Sequence, residues 1–131
     1  MSYAIDITAP ALTLVTAPVR ETLIIARSIL TRGTITFPKG HAGLTGVWIE
    51  YQGKQVLPQN VEFVYRGDNV EIELYPKLRI DEPPYFLEIL MFNEDDTYDH
   101  TARLTFDTDP LPDSDSGGGI IGAITDFFGG G

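Results

Sequence analysis

Between residues 61 and 74 the sequence alternates twice in steps of two. In Val61-Glu62-Phe63-Val64-Tyr65, residues 61, 63 and 65 fall on one apolar face. After Arg66-Gly67-Asp68-Asn69, residues Val70, Ile72 and Leu74 form another, with Glu71 and Glu73 opposite. Successive strand side chains point to opposite faces, so this spacing describes strands with one dry side and one wet side. With Gly-Asp-Asn between them, the two runs read as a hairpin of 61–65 against 70–74.

The same reading extends along the chain. Residues 47–51, the turn 52–54 and residues 55–57 form a second predicted hairpin. Tyr85 to Phe92 is almost continuously apolar, which suits an inner strand covered on both faces. Glu88, which interrupts it, points either into a pocket or interface, or to solvent at a sheet edge. A polar turn at 93–96 then returns the chain to a strand near 102–106. Upstream, 22–30 and 33–37 are two further β-branched runs. About eight strands at this spacing predict an all-β fold, an antiparallel β-sandwich of jelly-roll or immunoglobulin-like order, spanning 20–108. Strand pairing is not readable from periodicity, so both orders stay open.

The chemistry available is narrow. There is no cysteine, so the core must hold without disulfides and no thiol can ligate zinc or attack a substrate. Nineteen acids against nine bases give a net charge of −10, without the basic footprint that nucleic-acid binding needs. His41 and His100 have no spaced catalytic partners, and no phosphate-cradling glycine motif is present. The expectation is a non-enzyme without a cofactor. Asn93, Asp95, Asp96 and Asp99 form the better candidate calcium loop, with oxygen ligands but without EF-hand spacing, and Asp107, Asp109, Asp113 and Asp115 offer a looser one. Trp48 alternates away from Val47, Ile49 and Tyr51. Trp48, Tyr51 and Tyr75 make a candidate platform for a sugar or another ligand.

The two ends differ from the middle. Residues 1–19, with Pro10 and Pro18 fencing Leu12 and Leu14, read as an extended arm able to pair with a sheet edge, or as a first strand of the sandwich. Residues 109–119 have the Asp, Pro, Ser and Gly composition of a flexible acidic linker. In 120–131, Ile120, Ile121, Ile124, Phe127 and Phe128 lie on one face of a short amphipathic helix. So short a helix is marginal alone in water and needs a surface to cover. That surface is the chain's own domain, a groove on a partner or neighbouring copy, or a membrane. Docking leads, because interfacial helices usually carry a basic face and this segment has none.

No signal peptide and no membrane-spanning run is read in the sequence. A compact β-sandwich with an extended arm and an apolar tail resembles, in general design, small virion proteins that decorate or cement a shell. That resemblance implies a structural subunit of a virion or of another cytoplasmically assembled complex. Its partners would be copies of itself, or a shell or carrier protein, joined through Leu12, Leu14 and the apolar tail. The alternative is a carbohydrate- or ligand-binding sandwich module.

Overall fold

The computed structural model describes residues 1–112. The predicted linker beyond residue 112 and the C-terminal segment 120–131 lie outside the described residues. Among the described residues nine strands follow in order: β1 (Ser2–Ala9), β2 (Val19–Ile24), β3 (Ser28–Phe37), β4 (Thr45–Tyr51), β5 (Lys54–Leu57), β6 (Val70–Leu74), β7 (Leu78–Ile80), β8 (Phe86–Asn93) and β9 (His100–Asp109). Among the described residues there is no helix, and hence none long and apolar enough to cross a membrane.

The strands form two antiparallel sheets. One has the order β1-β9-β3-β6, with β7 also paired to β3; the other has the order β2-β8-β4-β5. Apart from β4–β5 and β6–β7, every connection carries the chain from one sheet to the other. Ile7, Ile35, Phe37, Leu104 and Phe106 from the first sheet and Val47, Ile49, Leu87, Ile89 and Met91 from the second share one buried core. The architecture is therefore sandwich-like. Each such side chain contributes about 1.5–3 kcal/mol by leaving water.

The β4–β5 hairpin follows its sequence. Gln52 and Gly53 both take positive φ, 54° and 78°, the pattern of the tight turn that matches strand twist. The apolar β8 lies between β2 and β4.

Other expectations are corrected. Residues 61–65 do not form a hairpin with 70–74. Val61 and Phe63 are exposed, and β6 pairs with β3 from Gly33↔Leu74 to Phe37↔Val70. Tyr65 instead exchanges both backbone hydrogen bonds with Val47, at 3.0 and 2.8 Å, on the side of β4 that β5 pairs only from Ile49 onward. A long-range pairing outcompetes the local one here. Nor do β8 and β9 form a hairpin, because the 94–99 loop moves the chain between sheets.

The run 22–30 breaks at 25–27, where the chain also changes sheet. By contrast, β3 continues through Gly33. A Cβ there would lie 3.1 Å from the ring of Phe106, so that glycine serves a close approach and not a break. A bulge between Leu30 and Arg32 resets the alternation, which puts Leu30 and Ile35 on the same buried face. Residues 1–19 resolve as a strand and a loop. β1 pairs with β9 from Ser2↔Asp107 to Ala9↔His100, and 10–18 connects it to β2.

Candidate functional site

The antiparallel registers sort the connections into two ends. Residues 25–27, 52–53 and 81–85 turn the chain at one end, beside Met1 and Asp109. The longer connections 10–18, 38–44 and 94–99 lie together at the other, where 58–69 also delivers the chain to β6.

The 10–18 loop presents apolar side chains to water. Leu12, Leu14 and Val15 are 62%, 64% and 57% exposed. With Thr13, Thr16, Asn93 and Glu94 they line an open cleft of about 420 Å³. The loop is nonetheless pinned. Leu12 N–H donates to the Asp95 carbonyl at 2.9 Å, and Asn93 N–H donates to the Thr13 carbonyl at 2.9 Å. Ala11 N–H donates to Asp99 Oδ1 at 3.0 Å. Leu12 itself sits at φ 61°, a left-handed conformation that bulky residues avoid at a cost of about 1–2 kcal/mol.

Beneath the cleft a polar network ties the loops together. The buried Asn93 side chain donates to the carbonyls of Ala9 at 3.0 Å and Tyr98 at 2.9 Å, and its Oδ1 accepts from Asp95 N–H at 2.9 Å. Asp95 Oδ2 meets His100 Nε2 at 2.8 Å, and Oδ1 accepts from Thr97 N–H at 2.9 Å. The His100 contact, then the Thr97 N–H, hold the Asp95 carboxyl below its usual pKa. Asp68 Oδ1 accepts from the N–H groups of Ala42 and Gly40, at 2.9 and 2.8 Å, which lowers its pKa likewise.

His41 is buried within this end. Its Nε2 lies 3.0 Å from the Thr101 carbonyl, which only accepts, so Nε2 carries the proton. Nδ1 then accepts from the Thr45 hydroxyl at 2.7 Å. The ring lies against that of His100, tilted by 37°, with centroids 4.6 Å apart. Burial pushes the His41 pKa down, against a smaller upward pull from the Thr101 carbonyl.

These contacts decide how the sequence-derived candidates fall. Leu12 and Leu14 line the cleft, joined by Val15, which periodicity did not single out. The calcium candidates Asn93, Asp95, Asp96 and Asp99 share a loop, but each is engaged separately, Asp96 with the Thr97 hydroxyl at 2.8 Å and Asp99 with Ala11. Among the described residues no three His, Asp or Glu side chains gather as a metal would require.

The aromatic platform does not assemble. Trp48 faces outward from the β2-β8-β4-β5 sheet, near Phe92 at 6.4 Å between ring centroids, with Nε1–H on Glu50 at 3.1 Å. Tyr51, three residues on, packs against the core and donates its hydroxyl to the Glu82 carbonyl. Tyr75 follows β6 in the other sheet and donates to Glu73.

Glu88 is opposite Glu50 across the β8–β4 ladder, and Arg20 bridges the two at 2.6 and 3.4 Å. The partners in this trio, and in the two-histidine pair, lie 30 to 68 residues apart, so no local spacing signals them.

Comparison of the chain with protein-family models, with curated proteins and with solved structures finds no match in any of the three.

Proposed function

We propose that this chain is a non-enzymatic structural subunit, joined to a larger assembly through its long-loop end. The setting we favour is a virion, as a capsid decoration, cement or tail protein, or another surface lattice. One observation carries the reading: Leu12, Leu14 and Val15 project into water from a loop that hydrogen bonds hold in place. Apolar surface is disfavoured in water by about 25 cal/mol per Å², so a pinned apolar projection is worth keeping where another surface covers it.

The strand order supports the setting by analogy. With β6 and β7 taken as one interrupted strand, the two sheets read as an eight-stranded jelly roll, an architecture of viral capsid and lectin domains. The net charge of −10 favours protein partners over nucleic acid or anionic membrane. A carbohydrate-binding reading loses its main support, because Trp48, Tyr51 and Tyr75 do not share a surface.

The test is the state of the full chain at its native source. An assembly subunit sediments with a multi-subunit particle, and there Leu12, Leu14 and Val15 take up hydroxyl-radical label several-fold less than in purified chain diluted to monomer. Recovery of the chain only as a free 14.5 kDa species, with equal labelling at those residues, sinks the reading.

A further inference from the structure

We infer that the cleft between the 10–18 and 94–99 loops is the seat for segment 120–128 of a second copy, so that copies join head to tail. The inference rests on the assembly reading and names its partner.

The path of the chain comes first. β9 starts at His100, paired to Ala9 beside the cleft, and ends at Asp109, next to Met1 at the opposite end. At about 3.4 Å per residue, its length separates the two ends by about 31 Å. Leu111 is still buried against the domain, so the chain departs from the far end.

Eight residue steps separate Pro112 from Ile120. Fully stretched they span about 26–29 Å. As a Gly/Ser-rich coil their r.m.s. span is about 16 Å. Ile120 thus falls short, on average, of the cleft of its own chain. A copy stacked against the far end brings a cleft within that reach.

The chemistry of the two parts agrees. Ile120, Ile121, Ile124, Phe127 and Phe128 need cover, and Leu12, Leu14 and Val15 offer apolar area on a fixed frame. A cleft of about 420 Å³ is in the range of sites that take a few bulky groups, so a short segment suits it better than a whole domain face.

Charge works against the contact. Asp126 on the segment, with Asp113 and Asp115 before it, would approach Glu94, Asp95, Asp96 and Asp99 around the cleft. Association must therefore be apolar in origin, and it must strengthen with salt as the screening length falls from about 10 Å at 0.1 M to about 3 Å at 1 M.

Seat and segment are different surfaces, so the contact is heterologous. A joined pair keeps one free seat and one free segment between its two copies, and growth proceeds to rings or filaments. That property makes the inference testable by mixing full-length variants. L12D/L14D removes the seat and F127D/F128D removes the segment. Light scattering is expected to find growing species for the unaltered chain, larger in 1 M NaCl than in 0.1 M. Each variant alone should stay at single-chain mass, while their mixture doubles that mass and goes no further.

Thermal unfolding of each variant checks the fold. Val15→Asp replaces the seat variant if L12D/L14D does not melt cooperatively. The inference is overturned if the mixture stays at single-chain mass, if either variant assembles alone, or if salt disperses the complexes. Loss of assembly in the seat variant only, with the segment variant unaffected, also overturns it but leaves the assembly reading intact. A chain that is monomeric throughout overturns it as well, and the native-source sedimentation above then decides the assembly reading separately.

Discussion

At one end of the sandwich the chain reverses through 25–27, 52–53 and 81–85. At the other it takes the longer connections 10–18, 38–44, 58–69 and 94–99. The short end satisfies itself with exposed bonds, such as those of the Tyr51 hydroxyl, which donates to the Glu82 carbonyl and accepts from its N–H. The long end is held from beneath by buried side chains, Asn93 and His41, while its rim exposes Leu12, Leu14 and Val15. A fold that merely had to close its loops would have no reason to combine a fixed base with an apolar rim. On the assembly reading proposed above, this difference is what makes the long end the side for contact.

The largest expected effect breaks this comparison most directly. Asn93→Ala removes the side-chain partner of the Ala9 carbonyl, in a buried place, and of the Tyr98 carbonyl and the Asp95 N–H, in part-buried ones. Losing such a set costs on the order of 3 kcal/mol. Tyr51→Phe at the short end removes two exposed bonds and is expected to cost about 1 kcal/mol or less. Urea unfolding of both variants measures the gap. Equal losses would mean that the two ends are held alike.

The next effect has the opposite sign. Leu12 and Gln52 are non-glycine residues at positive φ, 61° and 54°, one at each end. Asparagine tolerates that conformation, so Leu12→Asn is expected to stabilise the monomer by about 1 kcal/mol, and Gln52→Asn by less, because it gives up the bonds of the Gln52 amide to the Glu82 and Pro83 carbonyls. At the short end the gain should come without a functional change. At the long end it removes an apolar group from the cleft and should weaken association, the usual exchange between stability and a strained site. A Leu12→Asn chain that is stabilised and still associates fully would show that Leu12 adds no contact.

How far the sequence foretold this molecule depends on the range of the interaction. The β4–β5 hairpin was legible because its turn and both strands lie within thirteen residues, 45–57. The proposed 61–65 hairpin failed because β6 had a better partner in β3, more than thirty residues away, and alternation says nothing about which edge a strand meets. Leu12 and Leu14 were legible as unusual, being apolar residues fenced by prolines. Their fixed, outward posture was not, since it depends on Asn93, Asp95 and Asp99. The acidic 93–99 run looked like ligand oxygens in sequence. In the fold those oxygens cap backbone N–H groups and a histidine, which is the commoner use of Asx residues in tight loops.

The smallest effect concerns pH, and it too separates the ends. His41 is buried at the long end with its pKa lowered, so the folded chain resists taking up a proton there. The unfolded chain protonates the same residue near its ordinary value of about 6.5. Above that value both states are neutral at this site and it contributes no pH dependence. As pH falls through about 6.5 the unfolded state gains a proton that the folded state refuses, and stability drops until the folded pKa is reached. Asp68 and Asp95 have lowered pKa values, so their contribution is present above about 4 and is lost only in more acid solution. The window from pH 7 to pH 5 therefore isolates His41 from these two carboxylates. His41→Gln, which keeps polar atoms toward Thr45 and Thr101, should unfold in urea with a flatter dependence across that window than the unaltered chain. An unchanged slope would mean that His41 protonates in the folded state as readily as in the unfolded one. The buried ring would then not be the neutral brace between the starts of β4 and β9 that its hydrogen bonds to Thr45 and Thr101 describe.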